Sequence, residues 1–382
     1  MSAPERLSDR ALNRALLARQ GLLARLQGPL VEVVEAIGAM QGQAWAALPV
    51  GLWSRMSAFG PGDLYAALER GELLWGIGIR GTLHLVSARQ HPAYAAIAAA
   101  APTGSWHRAI AETTPAMGDL RDALLEFAGD EPRTNEQIRE FAEAWVGGHP
   151  DAIHPRELEA QRSLNWRPIY RWSALRRVPG GGGWGVKAPA EHLTAPNPPG
   201  SQRAPSVEDA LEQVARFHLR AFGPAAAEDV ACWIGWRTPP IRELLDGLGG
   251  ELASFEDEQG RTLYDLPEAP RPDPDTAVPP RLLGAFDSTL LAYAAKRRER
   301  ILPEGLREVV YHKANLQIRP TLLIDGLVAG TWSIDVRRGE ATLTLRPAGK
   351  LARADSTALG AEGTGLLKAL YPSAKAHRVT AE

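Results

Sequence analysis

The order helix, helix, hairpin is written three times along this chain, and a recurring supersecondary unit constrains a fold more than any single motif does. In the first copy, Leu30, Val33, Val34 and Ile37 recur at helical spacing after Gly28-Pro29. Residues 63–70 then form a second helix capped by Asp63 behind Pro61-Gly62, and residues 73–79 and 82–86 read as two strands around Arg80-Gly81. The second copy opens on a capping box, Thr134-Asn135-Glu136-Gln137, ahead of Ile138, Phe141 and Trp145. A helix over residues 155–164 follows, and residues 169–178 turn through the glycine run 180–183, read as a wing tip, into Trp184-Gly185-Val186. In the third, Gly223-Pro224 opens a helix through Val230, Trp233 and Ile234. Thr238-Pro239 caps another through Ile241, Leu244, Leu245 and Leu248, and residues 252–266 turn at 257–260. Helix, helix, hairpin is the order of a winged helix-turn-helix unit. The three copies share element order, not residue identity.

Around these units the chain reads as follows. Residues 1–27 form a helix with Leu12, Leu16, Leu17, Leu23 and Leu26 on its apolar side. Residues 188–206, with five prolines, and the Pro/Asp-rich stretch 267–280 are linkers. A helix near residues 290–300 leads into alternating strands at 316–324, 327–336 and 341–345, with Asp325-Gly326 and Arg338-Gly339 as hairpin turns. From residue 374 a polar tail is expected to be loose. The expected fold is therefore α+β and helix-rich, with three tandem winged helix-turn-helix units and a C-terminal β-rich segment. Its domains are expected at residues 1–125, 126–200, 201–280 and 281–382.

Composition narrows the chemistry. The single cysteine, Cys232, excludes an intrachain disulfide and a multi-cysteine metal site. There is neither a basic start followed by an apolar run nor a stretch of 18 apolar residues, so a soluble, cytoplasmic protein is expected. The nine histidines are scattered, and His149 and His154 lack the helical metal-binding arrangement. Nucleophile-elbow, phosphate-loop and dinucleotide-binding fingerprints are absent, so neither a metal nor another cofactor is expected. The net charge is only −2, but the cations are unevenly placed. Residues 160–188 hold no acid, and there Arg162, Arg167, Arg171, Arg176, Arg177 and Lys187 interleave with Trp166, Tyr170, Trp172 and Trp184. Lys296, Arg297, Arg298 and Arg300 form a second cluster. Solvated faces are the ordinary reading of such runs; phosphate contact is the other. On charge clustering, Arg55, Arg80, Arg176, Arg177, Arg297 and Arg298 are assigned to phosphates.

One stretch stands out for its polarity. Continuing the period of Leu30, Val33, Val34 and Ile37 places Gln41 on the buried stripe, where a core residue belongs. Gly42 weakens the helix there, and an extended chain would point Gln41 and Gln43 to one side, roughly 7 Å apart. The ordinary reading is that the amides cap backbone groups. The sharper one is that, each amide carrying an acceptor and two donor hydrogens, they orient a water or a substrate edge. His84, on Leu83-His84-Leu85, is by default a hydrogen-bonded core histidine, with a site role beside Arg80 as the alternative. Trp45 and Trp53 either line the site or pack behind it.

These residues carry a resemblance. Gln41-Gly42-Gln43, Leu52-Trp53-Ser54-Arg55 and Arg80-Gly81-Thr82-Leu83-His84-Leu85-Val86 are similar to the AlkZ/YcaQ-type winged-helix DNA glycosylases. So are residues 223–236, Phe286-Asp287-Ser288-Thr289-Leu290-Leu291, and the segments at 324–326 and 330–332, a likeness spanning residues 7–350. The resemblance implies three tandem winged helices forming a concave DNA-binding body, and excision of alkylated purines, notably N7-alkylguanine adducts and interstrand crosslinks. The partner is then double-stranded DNA, the location cytoplasmic and nucleoid-associated. The family's Gln-x-Gln signature lands on Gln41 and Gln43 as catalytic residues, with Trp45 and His84 joining the arginines at the DNA. The centre of that signature is usually hydrophobic, whereas here it is Gly42, which loosens the hold on both amides. A non-catalytic winged-helix DNA-binding or regulatory protein is the alternative, and a scaffold binding no nucleic acid is a third reading.

Overall fold

The computed structural model describes residues 4–100, 115–166, 175–180, 184, 189–196, 203–312 and 316–382. Two compact units divide the chain: residues 1–66, 216–233 and 238–382 make the first, and residues 67–215 and 234–237 the second.

In the first unit, Ser8 caps the helix Asp9–Arg19 by accepting from the Ala11 N–H at 3.2 Å. That cap, ahead of an acidic first turn, sets the start at Asp9, and the helix stops at Arg19, so the single helix expected over residues 1–27 is shorter at both ends. The preceding Glu5–Leu7 is a strand parallel to Ala253–Asp257, which pairs antiparallel with Thr262–Asp265. A five-stranded sheet runs in the order Ala376–Ala381, Glu340–Pro347, Leu327–Arg337, Thr321–Ile324, Arg281–Leu283. Its tight turns fall where expected. Asp325 (φ 46°) with Gly326 (φ 80°), and Arg338 (φ 53°) with Gly339 (φ 84°), have the paired positive φ of type I′ turns. Two outcomes differ from expectation. The tail from residue 374 is not loose: Ala376–Ala381 adds to the sheet edge parallel to Glu340–Pro347. Parallel pairing needs a long crossover, supplied by the helix Arg353–Leu370. Three glycines disguise that helix in the sequence. At Gly363 a side chain would meet Val379 at 3.1 Å, so small size there lets helix and strand approach. Its Leu359, Leu366 and Leu367 pack with Leu322, Trp332 and Leu343 of the sheet. Near residues 290–300 the expected helix is replaced by two short 3-10 turns, Ser288–Leu290 and Ala295–Arg300.

In the second unit, Leu73–Ile77 and Leu83–Ser87 form a hairpin closed by Arg80 (φ 56°) and Gly81 (φ 64°). A second pair, Leu175–Val178 with Glu191–Thr194, joins it through Gly76 opposite Arg176. Any side chain at position 76 would meet the Leu175 carbonyl at 2.8 Å. Glu191–Thr194 lies inside the expected linker 188–206, so part of that stretch is strand. The capping box at Thr134 is present and starts Asn135–Gly148. With Pro115–Phe127, that helix buries Leu120, Leu124, Ile138 and Trp166.

In the first and third stretches two of the expected helices precede a hairpin, whereas in the second the strand Leu175–Val178 pairs with Glu191–Thr194 rather than with the expected 184–186, of which 185 and 186 lie outside the described residues. The first stretch gains an unforeseen helix, Ala47–Arg55, which tolerates Pro49 in its first turn. The wing-tip glycines 181–183 lie outside the described residues, as do Arg167, Tyr170, Arg171, Trp172 and Lys187.

Candidate active site

Leu30–Ile37 is helical because its apolar residues fill one face, and Val33, Val34 and Ile37 are buried. It stops at Gly38, whose φ of 79° and ψ of 176° favour glycine. The helix therefore ends four residues earlier than a period carried to Gln41 implies, and Met40-Gln41 is a strand. Gln41 does arrive buried, at 9% exposure, but by an extended route, and Gln43 is exposed. One amide of the motif is enclosed and the other faces solvent.

A polar frame surrounds this turn. The Gln41 N–H donates to Ser288 Oγ at 3.1 Å, and that hydroxyl donates to the Ala39 carbonyl at 3.0 Å. Gln20 Nε2 donates to the carbonyls of Ile37 (2.8 Å) and Ala221 (2.9 Å), closing the end of the helix. Its Oε1 accepts from Arg55 Nε at 3.2 Å. Arg55 in turn makes a bidentate pair with Asp287, at 2.9 and 2.8 Å. Asp287 also accepts from the Thr289 N–H (3.0 Å) and Thr289 Oγ1 (2.8 Å), which sets the turn presenting Ser288. Between these groups a crevice of about 10 Å³, lined by Gln41, Arg55, Phe286, Asp287 and Ser288 among others, is close to the room of one water.

Several of the residues assigned to phosphates are engaged within the protein. Arg55 is 2% exposed and committed to Asp287, so it organises the interior. Arg297 is likewise committed: its Nε sits 2.7 Å from Asp229 and only 11% of its side chain is exposed. Arg298, half-buried, donates to the Tyr293 carbonyl and the Tyr311 hydroxyl, both at 3.0 Å. Arg162 pairs with Glu143, which also receives the indole N–H of buried Trp166 at 2.8 Å, so acid from an earlier helix compensates part of the acid-free stretch. Trp45 is buried and stacks on Tyr65 at 6.1 Å. Trp53 packs on the C-terminal sheet, with Arg25 over its ring at 4.4 Å.

In the second unit, Arg80 is half-buried at the hairpin turn and His84 is buried behind it. His84 Nδ1 donates to the Thr82 carbonyl at 3.0 Å. Burial, then the charge of Arg80, pushes its pKa down to about 3, which favours the neutral imidazole. Arg176 and Arg177, half-buried neighbours on one strand, point to opposite faces. Arg176 adds to burial in lowering His91 to about 4, and Arg177 does the same for His192, also about 4. Arg177 lies 5.6 Å from the Trp75 ring centre.

Sequence reasoning missed the frame itself. Gln20 carries no local signal. Asp287-Ser288-Thr289 does, since an Asp two residues before a threonine N–H is an Asx-type cap. Among the described residues, no helix is long and apolar enough to cross a membrane, and no three His, Cys, Asp or Glu side chains are grouped to hold a metal ion.

With this geometry in view, the sequence profile described as DNA glycosylase AlkZ-like matches residues 34–369, taking in the motif, Arg55, Asp287 and Ser288 of its frame, and the hairpin sheet. The class of protein is thus a DNA glycosylase. A relative from Streptomyces sahachiroi, named interstrand DNA cross-link repair glycosylase, is 27% identical over 345 residues, spanning 83% of this chain and 85% of the relative. The solved structure of Streptomyces sahachiroi DNA glycosylase AlkZ superposes with a TM-score of 0.77 at 21% identity, covering 98% of this chain and 100% of that one, which shows a common fold. The chain belongs to the AlkZ-like DNA glycosylase family.

Proposed function

We propose that the protein excises cationic alkylated purines, N7-alkylguanine adducts first among them, from double-stranded DNA by water that Gln41 and Gln43 position. The three helix, helix, hairpin stretches serve as winged helix-turn-helix units holding the duplex. Crosslinks joined through N7 are a natural extension, in keeping with the name of the Streptomyces relative.

The carrying observation is the split motif: Gln41 enclosed with its backbone clamped, Gln43 exposed beside it. Hydrolysis of an ordinary N-glycosidic bond needs help for a poor leaving base. Alkylation at N7 places a positive charge on guanine, so the base departs by taking the bonding pair from C1′ and becoming neutral. Water then bonds to C1′ and its proton passes to solvent. The residues need only orient that water and stabilise an oxocarbenium-like sugar, which neutral amides can do. Their weakness as bases confines the enzyme to activated lesions and leaves an abasic site with the strand intact.

The test is duplex DNA carrying one N7-methylguanine, incubated with enzyme and then treated with alkali. Scission that depends on alkali, and is lost in Gln41→Ala and Gln43→Ala proteins, is the expected result. Wild-type rates in both variants would overturn the glutamine mechanism, whereas no alkali-dependent scission by the wild-type protein would leave a DNA-binding role in its place.

A further inference from the structure

Phe286-Asp287-Ser288-Thr289 belongs to the resemblance but has no part in the chemistry above. It lies 247 residues from the motif in sequence, yet Ser288 touches it on both sides of Met40. Its hydroxyl accepts the Gln41 N–H at 3.1 Å and donates to the Ala39 carbonyl at 3.0 Å. One serine thus ties two peptide groups that flank the residue before the first glutamine. Ser288 is 6% exposed and its own place is over-determined. It begins a 3-10 turn capped by Asp287, and Asp287 is locked by two bonds from Arg55. Phe286, just before, holds a φ of 56°, a strained conformation that persists only where the surroundings enforce it.

The motif needs such a clamp. It has glycine at its centre and at Gly38, and backbone freedom at those points would let the Gln41 amide wander. Misplacement of a reacting group by an ångström can cost a large factor in rate. We infer that Ser288 is a positioning residue for the glycosylase reaction, holding the Gln41 backbone so that the Gln41 amide faces the attacking water. The inference rests on the proposed role of Gln41.

A double-mutant cycle on the full-length protein separates the two claims. Single-turnover excision of N7-methylguanine is measured for wild type, Ser288→Ala, Gln41→Ala and the double variant, alongside KM and affinity for undamaged duplex. Ser288→Ala should lower the rate on the order of tenfold, the size of effect one neutral hydrogen bond supports, with KM and duplex affinity unchanged. In the Gln41→Ala background the same change should have no further effect, because Ser288 acts through Gln41. Ser288→Thr, which keeps the hydroxyl, should recover most of the rate. An equal loss in both backgrounds, or a loss expressed in KM and duplex affinity, would overturn the inference while leaving the role of Gln41 intact. A Gln41→Ala protein with wild-type activity would instead sink the underlying reading. If Ser288→Ala unfolds, Ser288→Cys carries the cycle: it is close in size, its thiol is a weak donor, and the same two outcomes decide.

Discussion

Two regions of this protein are rich in arginine, and they use it in opposite ways. Around Gln41, Arg55 is enclosed with its counter-charge Asp287, and the pair is internal architecture. In the hairpin sheet, Arg80, Arg176 and Arg177 sit half-buried beside His84, His91 and His192, and their charge helps keep those imidazoles neutral. The difference teaches that a cation's role follows from which carboxylate the fold brings to it. Asp287 is 232 residues from Arg55, and no local pattern announces the meeting.

The sharpest way to break this contrast is to strip the enclosed pair. Asp287→Ala leaves a buried guanidinium uncompensated and should destabilise the fold by about 3–5 kcal/mol in urea melts, whereas Arg55→Met with Asp287→Leu should be far closer to wild type. Equal loss in both would mean that the charges themselves, not their pairing, matter there.

A smaller effect tests the histidines. Their folded pKa values of about 3, 4 and 4 lie below the ordinary 6.5, so the unfolded chain binds more protons between those limits. Stability is accordingly full above pH 6.5 and falls as pH drops from there toward 4, by up to about 1.4 kcal/mol per pH unit for each histidine. Replacing His91 with Gln should flatten that slope. An unchanged profile would show that the His91 pKa is the same in the folded and unfolded chain.

The smallest effect concerns DNA directly. Under the proposed function, neutralising Arg176 or Arg80 should reduce the slope of log affinity against log salt by about 0.9 for each phosphate no longer neutralised, while Arg297→Ala leaves it unchanged. A reversal of that order would restore the interior arginines as DNA contacts.

What is legible in the sequence is local. The apolar stripe of Leu30–Ile37, the box at Thr134 and the turns Asp325-Gly326 and Arg338-Gly339 are readable because neighbouring residues decide them. Hidden are the edge strand Ala376–Ala381, whose polar residues are strand only because Glu340–Pro347 offers an edge, and the glycine-bearing crossover helix. At the site, the two glutamines declare themselves as misplaced amides, while Gln20, Arg55, Asp287 and Ser288 become a frame only through contacts between distant segments.

That separation has a consequence for biosynthesis. A ribosome that has finished Gln41 must add 247 more residues before Ser288 exists to hold it. Until then the amide has no fixed address, so a nascent chain carries the motif without its alignment. Closing so long a loop is also slow, which places completion of the site among the late events of folding. Competence to cut a glycosidic bond therefore waits on the 247 residues that follow Gln41.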